Sequence, residues 1–328
     1  GLKGMTSNPS IFSKSIAETN EYDDLLTQFL REGKNIDETY LSIAISDIQA
    51  AADLFRPVYD ETKSEDGYVS LEVNPHLAYD TKATIEQARM LFKRANRKNV
   101  MIKIPATKEG LPAIEQMIAE GININVTLIF SIARYEEVAQ AYLAGLEKLL
   151  KSGKSVSEVR SVASVFVSRL DTKVDKLLAA KGIQTLQGKA AVANVKLLYQ
   201  KFKEIFASPR FKTLEAKGAH LQRPLWGSTS TKNPAYRDVL YVEELIGPHT
   251  VNTIPPETFS AFRDHGKAAM TIEKDLDQVK KVLQDLAHAG INLQKVTQEL
   301  EDEGVKSFSD AFDQLLTAIG KKEEKIRV

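Results

Sequence analysis

The sequence predicts an α/β fold, a parallel (β/α)8 barrel of the TIM type. Short β-rich runs alternate with longer amphipathic stretches, no linker or low-complexity segment splits the chain, and polar residues recur on one face at the ends of successive β runs. The first β run covers about 2–7 and is followed by the helical pattern Asp37–Thr62. The second, about 67–73, leads into Thr81–Ala95; the third, about 99–105, into Leu111–Glu120; the fourth, about 122–130, into Ala133–Lys151. A fifth run at about 160–168 precedes Asn194–Phe206, and two more lie at about 222–229 and 250–255. Strand, crossover helix, strand is the signature of a parallel sheet. A doubly wound open sheet competes, but its Gly-rich first turn is missing. We read one domain over 1–328, with Glu299–Gly320, whose Leu and Phe recur at helical spacing, as an added C-terminal helix packed on the body. A closed barrel needs eight strands. Seven are visible, and since the first begins at residue 2, the missing first strand is expected upstream of Gly1.

Composition narrows the function. Of 328 residues, 43 % are hydrophobic, enough for a large core, and Lys plus Arg equals Asp plus Glu at 44 each. That balance offers no global charge for nucleic acid or an acidic membrane surface. Cysteine is absent, which excludes disulfides, thiolate chemistry and Cys-based metal sites. The histidines (76, 220, 249, 265 and 288) show no HxH or HxxxH spacing, so no metal is indicated. No apolar run approaches the roughly 20 residues that a bilayer requires. A cytoplasmic protein without membrane or nucleic-acid partners is the expectation, and a homodimer or the barrel part of a fusion is compatible with it.

The period-2 pattern carries the functional reading. In a parallel barrel one face of each strand meets the helices and the other fills the interior. Val69, Leu71 and Val73 alternate with Ser70, Glu72 and Asn74. Val100, Ile102 and Ile104 alternate with Met101 and Lys103, and Ile122, Ile124, Val126 and Leu128 with Asn123, Asn125 and Thr127. Glu72, Lys103, Asn125 and Thr127 thus point the same way near the C-terminal ends of their strands, where such barrels place their chemistry. A solvated polar face is the bland alternative, but it suits antiparallel sheets better, since parallel sheets are covered on both faces. A structural Lys103–Glu72 ion pair is the other, and Thr127 and Asn125 are unremarkable strand residues taken alone. Lysine is rarely buried without a partner or a task, and Lys103 sits among Met101, Ile102, Ile104 and Pro105. A lysine stripped of water yields its proton more readily, and the neutral amine attacks carbonyls. With a carboxylate and a hydroxyl beside it, the pattern suggests Schiff-base carbon–carbon chemistry in which the iminium withdraws electrons and the carboxylate moves protons.

Several motifs now stand out together. The opening Met5-Thr6-Ser7-Asn8-Pro9-Ser10-Ile11-Phe12 resembles the T-[ST]-N-P-[ST] signature of transaldolases. Val100-Met101-Ile102-Lys103-Ile104-Pro105-Ala106-Thr107 resembles the active-site lysine motif of that family, and Asn123-Ile124-Asn125-Val126-Thr127-Leu128-Ile129-Phe130-Ser131 the strand after it. Ser70-Leu71-Glu72-Val73, Ser164-Val165-Phe166-Val167-Ser168-Arg169 and Trp226-Gly227-Ser228-Thr229 follow in family order, most similar to the longer bacterial branch. The resemblance implies a cofactor-free class I transferase. It would move a dihydroxyacetone unit from sedoheptulose 7-phosphate to glyceraldehyde 3-phosphate, giving erythrose 4-phosphate and fructose 6-phosphate in the pentose phosphate pathway. It implies Lys103 as the Schiff-base residue, Glu72 as acid/base through a water, and Thr127 as the holder of that water. Asn8, Asn125, Ser164 and Ser228 would bind substrate hydroxyls, and Arg169 the phosphate. Two departures accompany it. Where the family commonly has an Arg after the seventh strand, this chain offers Lys232, a point charge in place of a fork. The catalytic Asp that the family carries on its first strand belongs to the upstream segment. A related Schiff-base aldolase such as fructose-6-phosphate aldolase, and a catalytically silent sugar-phosphate-binding barrel, are the alternatives.

Overall fold

A computed structural model describes residues 1–327 and divides the chain into two compact units, 1–117 with 122–125 and 304 onward, and 118–121 with 126–303.

The first unit opens with β1 (Gly4–Thr6), followed by α1 (Pro9–Glu18), α2 (Asp23–Arg31), α3 (Ile36–Glu61), β2 (Tyr68–Glu72), α4 (Thr81–Ala95) and β3 (Val100–Pro105). Capping fixes several boundaries. Asn35 accepts the Glu38 N–H at 2.9 Å and starts α3, and Asp80 accepts the Ala83 N–H at 2.9 Å and starts α4. The latter helix ends where Asn96 turns left-handed at φ 46°. Gly67, at φ 85°, brings the chain into β2, and a Cβ there would lie 2.4 Å from the Tyr59 backbone nitrogen, so no other residue fits the approach. β1 pairs parallel with β2, and β2 with β3. Every residue of β3 is buried, the mark of a strand covered on both faces. Val69, Leu71, Ile102 and Ile104 supply the apolar side, with Ala44 and Ile48 of α3 and Ala88 and Leu91 of α4 buried alongside. The register sets Glu72 directly beside Lys103.

Three elements cross from one unit to the other: α5 (Gly110–Ala119), β4 (Ile124–Ile129) and α13 (Leu293–Arg327). The second unit continues with α6 (Ile132–Lys151), β5 (Ser161–Phe166), α7 (Ser168–Ala180), α8 (Ala190–Ala207), α9 (Pro209–Glu215), β6 (Gln222–Gly227), α10 (Leu240–Glu244), β7 (Val251–Asn252), α11 (Pro256–His265) and α12 (Leu276–His288). β5 and β6 pair parallel along their whole lengths, and β7 joins β6 for two residues. Fully buried Trp226 ties β6 to the segment after α10 by donating its indole N–H to the Leu245 carbonyl at 2.9 Å. The long α13 (Leu293–Arg327) closes the chain.

Strand order is sequential from β1 to β7, and each paired step recorded is parallel, which makes this a parallel α/β fold. Among the described residues no helix is long and apolar enough to cross a membrane.

Candidate active site

The first unit brings together Lys103, Glu72 and Asn125. Parallel pairing of β2 with β3 puts Glu72 and Lys103 on adjacent strands at one level, and Lys103 Nζ donates to Glu72 Oε2 at 2.9 Å. Both side chains are nearly out of water, 7 % and 6 % exposed. The ammonium also donates to the Ser7 carbonyl at 3.1 Å and lies 5.8 Å from the centre of the Phe308 ring on α13. Burial pushes the Glu72 carboxyl above its ordinary range, and the Lys103 charge and hydrogen bond only partly offset it. A carboxyl held high by desolvation is the readier proton acceptor, which is what an acid/base partner beside a nucleophilic amine requires.

Asn125 is fully buried and donates from Nδ2 to Ser70 Oγ at 3.0 Å. Ser70 stands two residues before Glu72 on the same strand face, and Ser7 fixes the start of α1 against it by donating its hydroxyl to the Ser70 carbonyl at 2.8 Å. Asn8 follows as the N-cap of α1: its side-chain oxygen accepts the Ile11 N–H at 2.9 Å, which leaves the NH2 end to face other partners. Sequence reasoning did not single out Ser7 or Phe308. A backbone carbonyl gives no residue signal, and Phe308 reads as one more apolar position of a helix.

In the second unit, Thr127 is fully buried, with its hydroxyl unpartnered among the described residues. The next residue, Leu128, is held at φ 60°, a region that a branched side chain rarely enters. Ser164 lies buried on β5. Arg169 occupies the first turn of α7 with its guanidinium 5.1 Å from the centre of the Phe166 ring. Burial lowers its pKa, and the Glu303 carboxylate opposes that. Ser228, also left-handed at φ 54°, sits directly after β6, and its hydroxyl shares a 2.8 Å hydrogen bond with that of Ser168, the neighbour of Arg169. Lys232 is exposed, with its ammonium donating to Ser230 Oγ at 2.7 Å. Ser228 and the start of α7 are therefore joined, whereas Lys232 is engaged on its own loop. Among the described residues no group of three or more His, Cys, Asp or Glu is arranged to hold a metal ion.

The chain has relatives. Residues 1–319 match the family model described as transaldolase/fructose-6-phosphate aldolase. A transaldolase of Trichodesmium erythraeum is 44 % identical, over 99 % of this chain and 89 % of its own length. Transaldolase 1 of Streptomyces avermitilis is 48 % identical over 96 % and 85 %, and a transaldolase of Acidothermus cellulolyticus 47 % over 99 % and 88 %.

Proposed function

The chain belongs to the transaldolase/fructose-6-phosphate aldolase family, and from that premise we propose that it is a transaldolase that moves a dihydroxyacetone unit between sugar phosphates. The observation that carries the mechanism is the buried Lys103–Glu72 contact at 2.9 Å. Neutral Lys103 Nζ attacks the ketose carbonyl carbon, and the oxygen leaves as water with protons supplied through Glu72 and an intervening water. The resulting iminium withdraws the electron pair of the adjacent carbon–carbon bond as it breaks, and the hydroxyl proton of the departing aldehyde passes through the water to the Glu72 carboxylate that gave up its own in the dehydration. The enamine left on Lys103 then adds to the carbonyl of an acceptor aldehyde, and hydrolysis restores the lysine. Thr127, whose buried hydroxyl has capacity to spare, holds the water. Asn8, Asn125, Ser164 and Ser228 take substrate hydroxyls, and Arg169 and Lys232 the phosphate. We further read the sequential strand order as that of a (β/α)8 barrel. The reaction is that between sedoheptulose 7-phosphate and glyceraldehyde 3-phosphate, in the cytoplasm and within the pentose phosphate pathway.

Borohydride reduction in the presence of fructose 6-phosphate tests the central step. A three-carbon adduct on Lys103, located by mass spectrometry, is expected; an adduct on another lysine, or none, overturns the assignment. Release of free dihydroxyacetone as the main product, with no transfer to an acceptor, would favour an aldolase instead.

A further inference from the structure

A recess in the first unit reaches Glu72 without passing Lys103. Its walls are formed by Asp37, Tyr40 and Leu41 of α3, Gln87 of α4 and Phe312 of α13, and Glu72 is the one residue of the Lys103 cluster among them. Tyr40 is 6 % exposed, and its hydroxyl meets no hydrogen-bond partner among the described residues. The ring itself is wedged edge-on between Phe12 and Phe312, with centroids 5.9 and 5.3 Å away. The Tyr40 oxygen is not sealed off from solvent, so water can partner it in the recess that it lines with Gln87 and two carboxylates. Burial and the nearby Glu72 charge push the Tyr40 phenol above its ordinary range, so it stays protonated as Glu72 titrates.

We propose that this recess is the proton-exchange route of Glu72, in which water carries protons between its carboxyl and bulk solvent and the Tyr40 hydroxyl relays them. The inference rests on Glu72 as the acid/base. In each relay step Tyr40 accepts one proton at its oxygen as it releases another, so it ends unchanged, and the net transfer is one proton between Glu72 and solvent. The charged and titratable groups around Glu72 are Lys103 on β3 and, in the recess wall, Tyr40 and Asp37 on α3. Lys103 sets whether Glu72 holds its proton, Tyr40 how fast that proton reaches water, and Asp37 supplies an acceptor at the far end. Tyr40 is thus a positioning and relay residue rather than a catalytic one.

Two variants test this. Tyr40→Phe keeps the ring and removes the hydroxyl, and Leu41→Trp narrows the recess from its wall. In each, kcat should fall several-fold with KM unchanged and the solvent deuterium isotope effect on kcat should rise, while borohydride still traps the Lys103 adduct and the melting temperature holds. An unchanged isotope effect in both variants overturns the route, as does a loss of activity that merely tracks a lower melting temperature. Absence of the adduct in the native chain instead overturns the Schiff-base reading beneath it, so the two failures are distinguishable.

Discussion

At Lys103 the chemistry turns on where the ammonium proton goes. Its two acceptors are the Ser7 carbonyl and Glu72, and only Glu72 can keep a proton. Ion pairs this deeply buried contribute little to stability, because desolvation offsets the attraction, so their retention calls for another reason. In the proposed mechanism that reason is proton transfer. Glu72→Gln keeps the shape and the hydrogen bond but removes the titrating group. Turnover should drop by roughly 10²–10⁴-fold with substrate binding retained. Near-native turnover would reduce Glu72 to a charge partner of Lys103.

Among the elements, α7 carries the most telling electrostatic load. Asp171 is 1 % exposed and accepts from the Ala191 backbone N–H at 2.7 Å and the Tyr241 hydroxyl at 2.7 Å, which ties α7 to α8 and α10. Burial outweighs those bonds and pushes its carboxyl up to about 6. In the unfolded chain it titrates near 3.9. Between these values the folded protein binds more protons at Asp171 than the unfolded one, so the destabilisation from its buried charge is absent below about pH 4 and grows as pH rises to about 6. Ionising Asp171 in the fold thus costs about 3 kcal/mol. Asp171→Asn should therefore flatten the stability curve between pH 4 and 6, and denaturant titrations across that range will read it. Equal slopes in the two proteins would show that Asp171 is not the group responsible.

For the whole molecule, the balanced charge of 44 basic and 44 acidic residues gives no long-range attraction for a phosphorylated substrate, so recognition must come from local cations. Arg169 is the partly buried one, held by the Phe166 ring, whereas Lys232 is solvated. Arg169→Ala should raise KM for phosphorylated sugars far more than for free dihydroxyacetone, and the same change at Lys232 should do less. Equal effects of Arg169→Ala on both substrates would mark it as structural. The sequence alone determined the strand positions, the shared face of Glu72 and Lys103, and the motif order that resembles the transaldolase family, because period-2 alternation and short motifs are local properties of the chain. It also marked α4 at its full extent, Thr81–Ala95, through the helical spacing, and the structure adds the Asp80 cap. Shorter helices such as α9 and α10 escaped it, since five to seven residues hold too little periodicity to separate from loop. The seventh strand, expected over about 250–255, is two residues long, because its pairing stops where β6 reaches Gly227 and turns at left-handed Ser228. Only the tertiary structure decided that Ser7, Tyr40 and Phe308 come to the Lys103–Glu72 pair. They arrive from segments distant in sequence, where an aromatic on a helix and a backbone carbonyl are chemically silent until packing brings a buried charge against them.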